Sequence, residues 1–378
     1  MKKFLLLCAL SSLAFAGNMH FAKNQKCSEC HPAIYKEYKT SQHAKATIFE
    51  DKIHGAVYDK HPQHWKIEKY RCGACHTPTA DNLNELLAPN NGVIPDIDNE
   101  TQNEAVACAY CHRIEDTTDG KAFGRNIVSK EEKVYFTKKE NPGKEIFGKS
   151  SFHKLKTNKE VFENGKMCMG CHAHKSNKKQ FQVCSTDINQ AAPKKNCIEC
   201  HMHKVDGAPS KFSKEAKHTY HGFPGLHGDL TNLSQYIGMT ITNTDDKQMF
   251  TVTIDHDAPH ASVLHPLRMG KLEVSVTRDG QVTKMQTRKL VKLIGSKEGA
   301  SPSPTPPWLA TSIIKDTRIP ANTTKAYPYK WELKSGDVIT AKFGYLLVKP
   351  GALEKFDLQD NKEAKKFRII KEQSFTVK

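Results

Sequence analysis

Five short segments of this chain share one pattern, Cys-x-x-Cys-His. They read CSECH at 27–31, CGACH at 72–76, CAYCH at 108–112, CMGCH at 168–172 and CIECH at 197–201. Two thiols set two residues apart match the two vinyl groups of a haem, to which they add as thioethers. A histidine directly after the second cysteine then lies beneath the iron and binds it from the proximal side. This is the attachment sequence of c-type haem. A lone copy could equally be half a zinc site or a redox dithiol. Zinc needs thiolates that converge in fours, and nothing in that chemistry puts a histidine at one offset five times. The pattern predicts five covalently bound haem c groups. Their thioethers fall on Cys27 and Cys30, Cys72 and Cys75, Cys108 and Cys111, Cys168 and Cys171, and Cys197 and Cys200. Their proximal iron ligands are His31, His76, His112, His172 and His201.

Each iron has a sixth position, and what fills it separates a carrier from a catalyst. The chain holds nineteen histidines, so fourteen remain beyond the proximal five. That surplus favours histidine on both faces, with the low potentials such ligation brings. The distal candidates are His43, His54, His153, His174 and His221. His43 ends a helical stretch after the first motif, His153 precedes the fourth, and His221 opens a His-Gly-Phe-Pro-Gly segment. His174 and His203 follow a proximal histidine by two residues, too close for the far face of the same haem but within reach of a neighbour's. His256, His260 and His265 read as structural, or as residues that cap a haem edge or line a pocket. Met167, Met169 and Met202 lie in or beside motifs and read as packing on haem faces.

The elements that must hold these groups fall into two parts. The chain opens with Lys2 and Lys3, an apolar run over 4–13 and a small-x-small site at 14–16. This is a cleaved export leader over 1–16, since a membrane span needs about 20 apolar residues. Residues 17–225 carry all five motifs and are polar for their length. Chain entropy would be hard to offset with so little protein core, so covalent haems must supply it. The expectation is short helices, as over 33–46 and 157–169, joined by irregular loops. From 226 the signal changes to alternating runs rich in Val, Ile, Thr and Tyr at 236–242, 249–255, 271–277, 282–293 and 337–348. These predict an all-β, sandwich-like domain over 226–350. Asp279-Gly280 is a hairpin-turn pair. A charged segment, 351–378, closes the chain and could add a last strand.

Of the twelve cysteines, ten lie in motifs, Cys8 lies in the leader, and Cys184 remains. Cys184 is a small buried residue, an unusual iron ligand or a reactive thiol. The formal charge of +16 resembles that of a nucleic-acid binder. Ten haem propionates and loss of the leader would bring it to roughly +4, and an exported protein meets no nucleic acid. No segment of the mature chain is apolar enough to span a membrane.

Residues 24–226 resemble the multihaem c cytochromes related to cytochrome c-554 of ammonia oxidisers and, more distantly, hydroxylamine oxidoreductase. The resemblance is carried by CSECHPAIYKEYKTSQHA at 27–44, the spaced motifs, and CIECHM followed by HGFPG at 221–225. It implies that His43 and His221 are distal ligands on haems other than those of their sequence neighbours. It also implies closely stacked haem pairs. The strand region looks like the β-rich tails of some periplasmic multihaem proteins. This chain departs in carrying five motifs rather than four or eight. Pentahaem nitrite reductases put lysine after one Cys-x-x-Cys, and all five sites here have histidine.

The residues thus point to a periplasmic electron carrier between a quinol-side donor and a terminal reductase, with redox proteins as partners. The alternative is a reductase of a small nitrogen or sulfur oxyanion at one five-coordinate haem, where Lys, Arg and His would attract the substrate.

Overall fold

The computed structural model describes residues 19–62, 64, 69–90, 92–120, 123–138, 153–186, 196–296 and 303–378. The expected leader over 1–16 lies outside the described residues.

The motif-bearing half is built of short helices, loops and two-stranded pairings. Each motif sits on or across a short helix: Asn24–Ser28, Gly73–His76, Cys108–Cys111, Lys166–His172 and Cys197–His201. Helices this short are marginal alone, so side chains fasten several of the helix ends in this half. Asp51 accepts from the N–H groups of Ile53 and His54 at the start of Lys52–Lys60. Asn196 and Glu199 form a reciprocal capping box on the helix of the fifth motif. Pro32 opens Pro32–Thr40, where its missing N–H is harmless. The helical stretch expected over 157–169 divides into Lys159–Glu163 and Lys166–His172. Gly165 separates them in the left-handed region, at φ +71°. A Cβ there would lie 3.0 Å from the Cβ of Cys197, so this glycine lets the fourth and fifth motifs approach.

Apolar clusters in this half are small. One gathers around Val106, Tyr110, Ile114, Phe136 and Phe162, another around Tyr58, Tyr70, Ala80 and Leu86. A cavity of ≈ 2340 Å³ dominates the interior, well above the ~1,000 Å³ upper end of ordinary ligand clefts.

The other half is rich in antiparallel strands. Ile237–Asn243 and Thr323–Lys330 flank Met249–His256 in a three-stranded sheet. A five-stranded sheet runs Gln281–Lys284, Met269–Arg278, Val338–Leu346, Arg368–Thr376, with Arg288–Leu290 also paired to Met269–Arg278. Alternate residues of both sheets enter one buried cluster, among them Met239, Val252, Ile254, Val274, Ile339 and Phe343. Period-two burial of this kind is what an antiparallel sheet with one covered face requires. Asp279 and Gly280 both have positive φ, 51° and 78°, and join Arg278 to its partner Gln281 as a tight hairpin. The closing segment 351–378 is not separate from this half. Arg368–Thr376 pairs along Val338–Leu346, and Ile370 and Val377 enter the shared cluster, because the apolar positions of this segment reach the buried face.

The halves share a wall. Leu347, Val348 and Phe356 pack with Ile53, Ala56 and Val57 of the helix Lys52–Lys60. The Asn177 amide donates to the carbonyls of Pro307 and Ala310, at 2.9 and 2.7 Å. No helix among the described residues is long and apolar enough to cross a membrane.

Candidate haem-binding sites

All ten motif cysteines and all five motif histidines line the large cavity. Four of those histidines are fixed in one way. Nδ1 of His31, His76, His112 and His201 lies 2.7 to 3.0 Å from the carbonyl oxygens of Pro209, Ala46, Phe136 and Pro224. A carbonyl only accepts, so Nδ1 carries the proton and the Nε2 lone pair is left for a metal.

The ring opposite each motif histidine tests whether haem fits. An imidazole nitrogen binds a transition metal at about 2.0 Å, and the ring centre lies about 1.1 Å behind it. Two imidazoles trans on one iron therefore have centres roughly 6.2 Å apart. His31 and His153 are 6.4 Å apart, His112 and His221 6.3 Å, His201 and His260 6.5 Å, and His172 and His43 5.9 Å. Four motif histidines thus have a second ring at iron-spanning distance, and the donor set fits haem c. Burial above all holds these imidazoles in the neutral, metal-binding form. It pushes His43 and His221 down to about 3, and His172 and His260 to about 4.

Local structure aims each facing ring. His43 sits in the turn after Pro32–Thr40, where Ser41 caps back to Tyr38 and the His43 carbonyl accepts from Val106. His153 leads into Lys154–Thr157, which pairs in parallel with Val134–Thr137. His221 follows Lys217–Thr219, and its backbone N–H donates to Glu37 at 2.9 Å. The same carboxylate meets Nε2 of the buried His218 at 2.8 Å. His260 lies in the loop between Met249–His256 and Met269–Arg278. That loop is pinned where Ser262 and Ile319 exchange hydrogen bonds and Arg318 donates to Val263.

Two of the expected distal residues fall elsewhere. His54 stands beside His76, with ring centres 3.9 Å apart. Its Nδ1 reaches the same Ala46 carbonyl as His76 does. An iron cannot lie between rings so close, because the cap at Asp51 brings His54 onto the proximal side. His174 is turned to Asp119, with Nδ1 3.2 Å from the carboxylate. Conversely, His260 faces His201, although sequence reasoning read it as structural. It stands 59 positions beyond the last motif histidine, and the only local signal was its place in a histidine-rich stretch, 256–265.

The motifs also touch one another. A Cβ at Gly165, just before the fourth motif, would lie 3.0 Å from the Cβ of Cys197 and 3.2 Å from its sulfur, so the fourth and fifth motifs stand side by side. Asn126 bridges two more, donating to Tyr110 of the third motif at 3.2 Å and to the sulfur of Cys171 in the fourth at 3.8 Å. Cys184 pairs across strands with Lys175 and lines the cavity.

Residues 13–113 match the family model described as cytochrome c7 and related cytochrome c. No curated protein matches the sequence. Among solved structures, the penta-haem cytochrome c552 from Thermochromatium tepidum has a TM-score of 0.75 at 21% identity, covering 95% of this chain and 99% of that one. The E. coli curli protein CsgC matches at a TM-score of only 0.16 and 12% identity, over 28% of this chain and 82% of that one. The motifs and the facing rings fit covalent haem c, and the N-terminal residues 13–113 are similar to that cytochrome c family. Along nearly its whole length the chain shares the fold of the penta-haem cytochrome c552.

Proposed function

We propose that this chain is a periplasmic pentahaem c-type cytochrome that moves electrons between a quinol-side donor and a terminal reductase. The observation that carries this reading is the set of four imidazole pairs at iron-spanning distance. Haem supplies one-electron redox chemistry when bound. The chain's own residues fix the axial rings, exclude water and set neighbouring haems close together. His31, His112, His172 and His201 would each hold a haem iron together with His153, His221, His43 and His260 respectively, and His76 would hold the fifth. The close approach of Gly165 to Cys197 would set the fourth haem beside the fifth. Asn126 links the third to the fourth.

This reading includes export through the leader over 1–16 and kinship with the cytochrome c-554 and hydroxylamine oxidoreductase group. In it the two sheets form a sandwich, and the C-terminal half both closes the cavity and supplies His260. The test is haem quantitation with EPR and a potentiometric titration of the holo-protein. Five haems, at least four of them low-spin with low potentials, are expected. Fewer than five haems would overturn the count.

A second reading, reduction of a small nitrogen or sulfur oxyanion, is favoured by the second motif alone. There His54 lies beside His76 rather than opposite it.

A further inference from the structure

The strand Gly124–Val128 has two unlike faces. On one side its residues pack on the fourth motif. A Cβ on Gly124 would lie 2.7 Å from the carbonyl oxygen of Met169 and 3.4 Å from the Cβ of Ala173. The next residue on that side, Asn126, donates to the sulfur of Cys171 at 3.8 Å. The period of two turns Arg125 and Ile127 the other way. Both are exposed, Ile127 to 42%. At this point a single strand separates solvent from the fourth attachment site.

Phe123 continues the outward face by one more step of two and reaches the cavity wall. It is bridged to Lys175, just past the fourth motif. Three cations surround its ring. The Arg71 guanidinium, directly before Cys72 of the second motif, lies 5.7 Å from the ring centre, that of Arg125 5.0 Å and the Lys175 ammonium 5.2 Å. Nζ of Lys175 is shut off from water and has no hydrogen-bond acceptor among the described residues. The carboxylates paired in register with this strand, Asp116 and Asp119, are engaged by Lys166 at 2.8 Å and His174 at 3.2 Å. The face is thus left with positive charge around an apolar centre.

We propose that Phe123, Arg125 and Ile127, with Arg71 and Lys175 beside them, form the docking surface of an acidic redox protein that exchanges electrons with the second and fourth haems. Aromatic and arginine side chains are the ones that anchor protein interfaces most often. Opposite charge on the partner steers its approach and sets its register. A partner seated here meets the fourth site across one strand and the second across Arg71, without crossing the protein interior. One electron leaves the partner's reduced cofactor and turns a ferric haem ferrous, or passes the other way. The proposal rests on the pentahaem reading and gives that reading a place and a charge for its partner.

The experiment mixes the oxidised holo-protein with a reduced acidic flavodoxin in a stopped-flow spectrometer and follows haem reduction over a range of salt. The bimolecular rate constant is expected to fall as salt rises. Arg125→Glu and Ile127→Asp should each slow it about tenfold or more at low salt, and the Arg125→Glu rate should converge with that of the wild type at high salt. Lys284→Glu makes the same charge change at an exposed position of the C-terminal hairpin and should slow it far less. Haem count and low-spin signals in the variants report intact folding. A salt-independent rate would overturn the proposal, as would wild-type rates in Arg125→Glu and Ile127→Asp. So would an equal loss in Lys284→Glu, since overall charge rather than this face would then steer the partner. A haem count below five would instead overturn the pentahaem reading, so the two failures are distinguishable.

Discussion

His201 and His260 meet ring to ring, with centres 6.5 Å and planes 21° apart, although one ends the last motif and the other lies between two strands of the C-terminal half. Replacing His260 with alanine should convert one haem to high spin and leave the others as they were. EPR of the variant checks this. His174→Ala, which removes only the contact with Asp119, should leave the spectrum unchanged. No new high-spin haem in His260→Ala would refute the pairing.

Glu37 holds the loop of His221 through two contacts, the His221 N–H and the ring of His218. Groups that position a metal ligand typically matter about 10- to 100-fold in metal affinity. Glu37→Gln keeps the shape and loses the charge. The expected result is a high-spin fraction at the third-motif haem that grows on warming, read in the optical spectrum below the melting point. A purely low-spin spectrum up to unfolding would show that Glu37 does not hold the ligand.

In the C-terminal half, Arg278 clasps the buried Asp337 through two nitrogens, at 2.8 and 2.7 Å. That clasp holds the carboxyl below its ordinary value. A depressed carboxylate stabilises the fold above its unfolded value near pH 4, and that contribution fades as pH falls through the folded value. Asp337→Asn should lower Tm at neutral pH by roughly 2–10 °C. It should also flatten the loss of stability below about pH 4 relative to the wild type. Parallel pH profiles for the two proteins would remove the ion pair from the account.

Haem loading should decide whether the N-terminal half folds. The apolar clusters of that half are small, too small to offset the chain entropy of so long a segment. Chain produced without haem attachment should be cut readily by protease before about residue 230. The strand half keeps its own buried cluster and should resist. Equal resistance of both halves would contradict the dependence.

Much of this was legible from residue types. The motifs announce themselves because thioether and axial chemistry fix spacing within five residues. The strand half showed through its period of two, and the Asp279-Gly280 turn through the positive φ that this pair tolerates. His43, His153 and His221 could be shortlisted from their places near motifs and helix ends. What local sequence could not show was which ring meets which. That depends on loops that return from far along the chain, as His260 does. His54 misled because its surroundings, Ile-His-Gly-Ala, say nothing about which way its ring turns. The Asp51 cap, which sets its direction, is a feature of three dimensions.

Gly165 stands where a Cβ would come 3.0 Å from that of Cys197 and 3.2 Å from its sulfur. One missing methyl group thus lets two attachment segments stand side by side. The distance between neighbouring cofactor sites would here be set by what a single residue lacks.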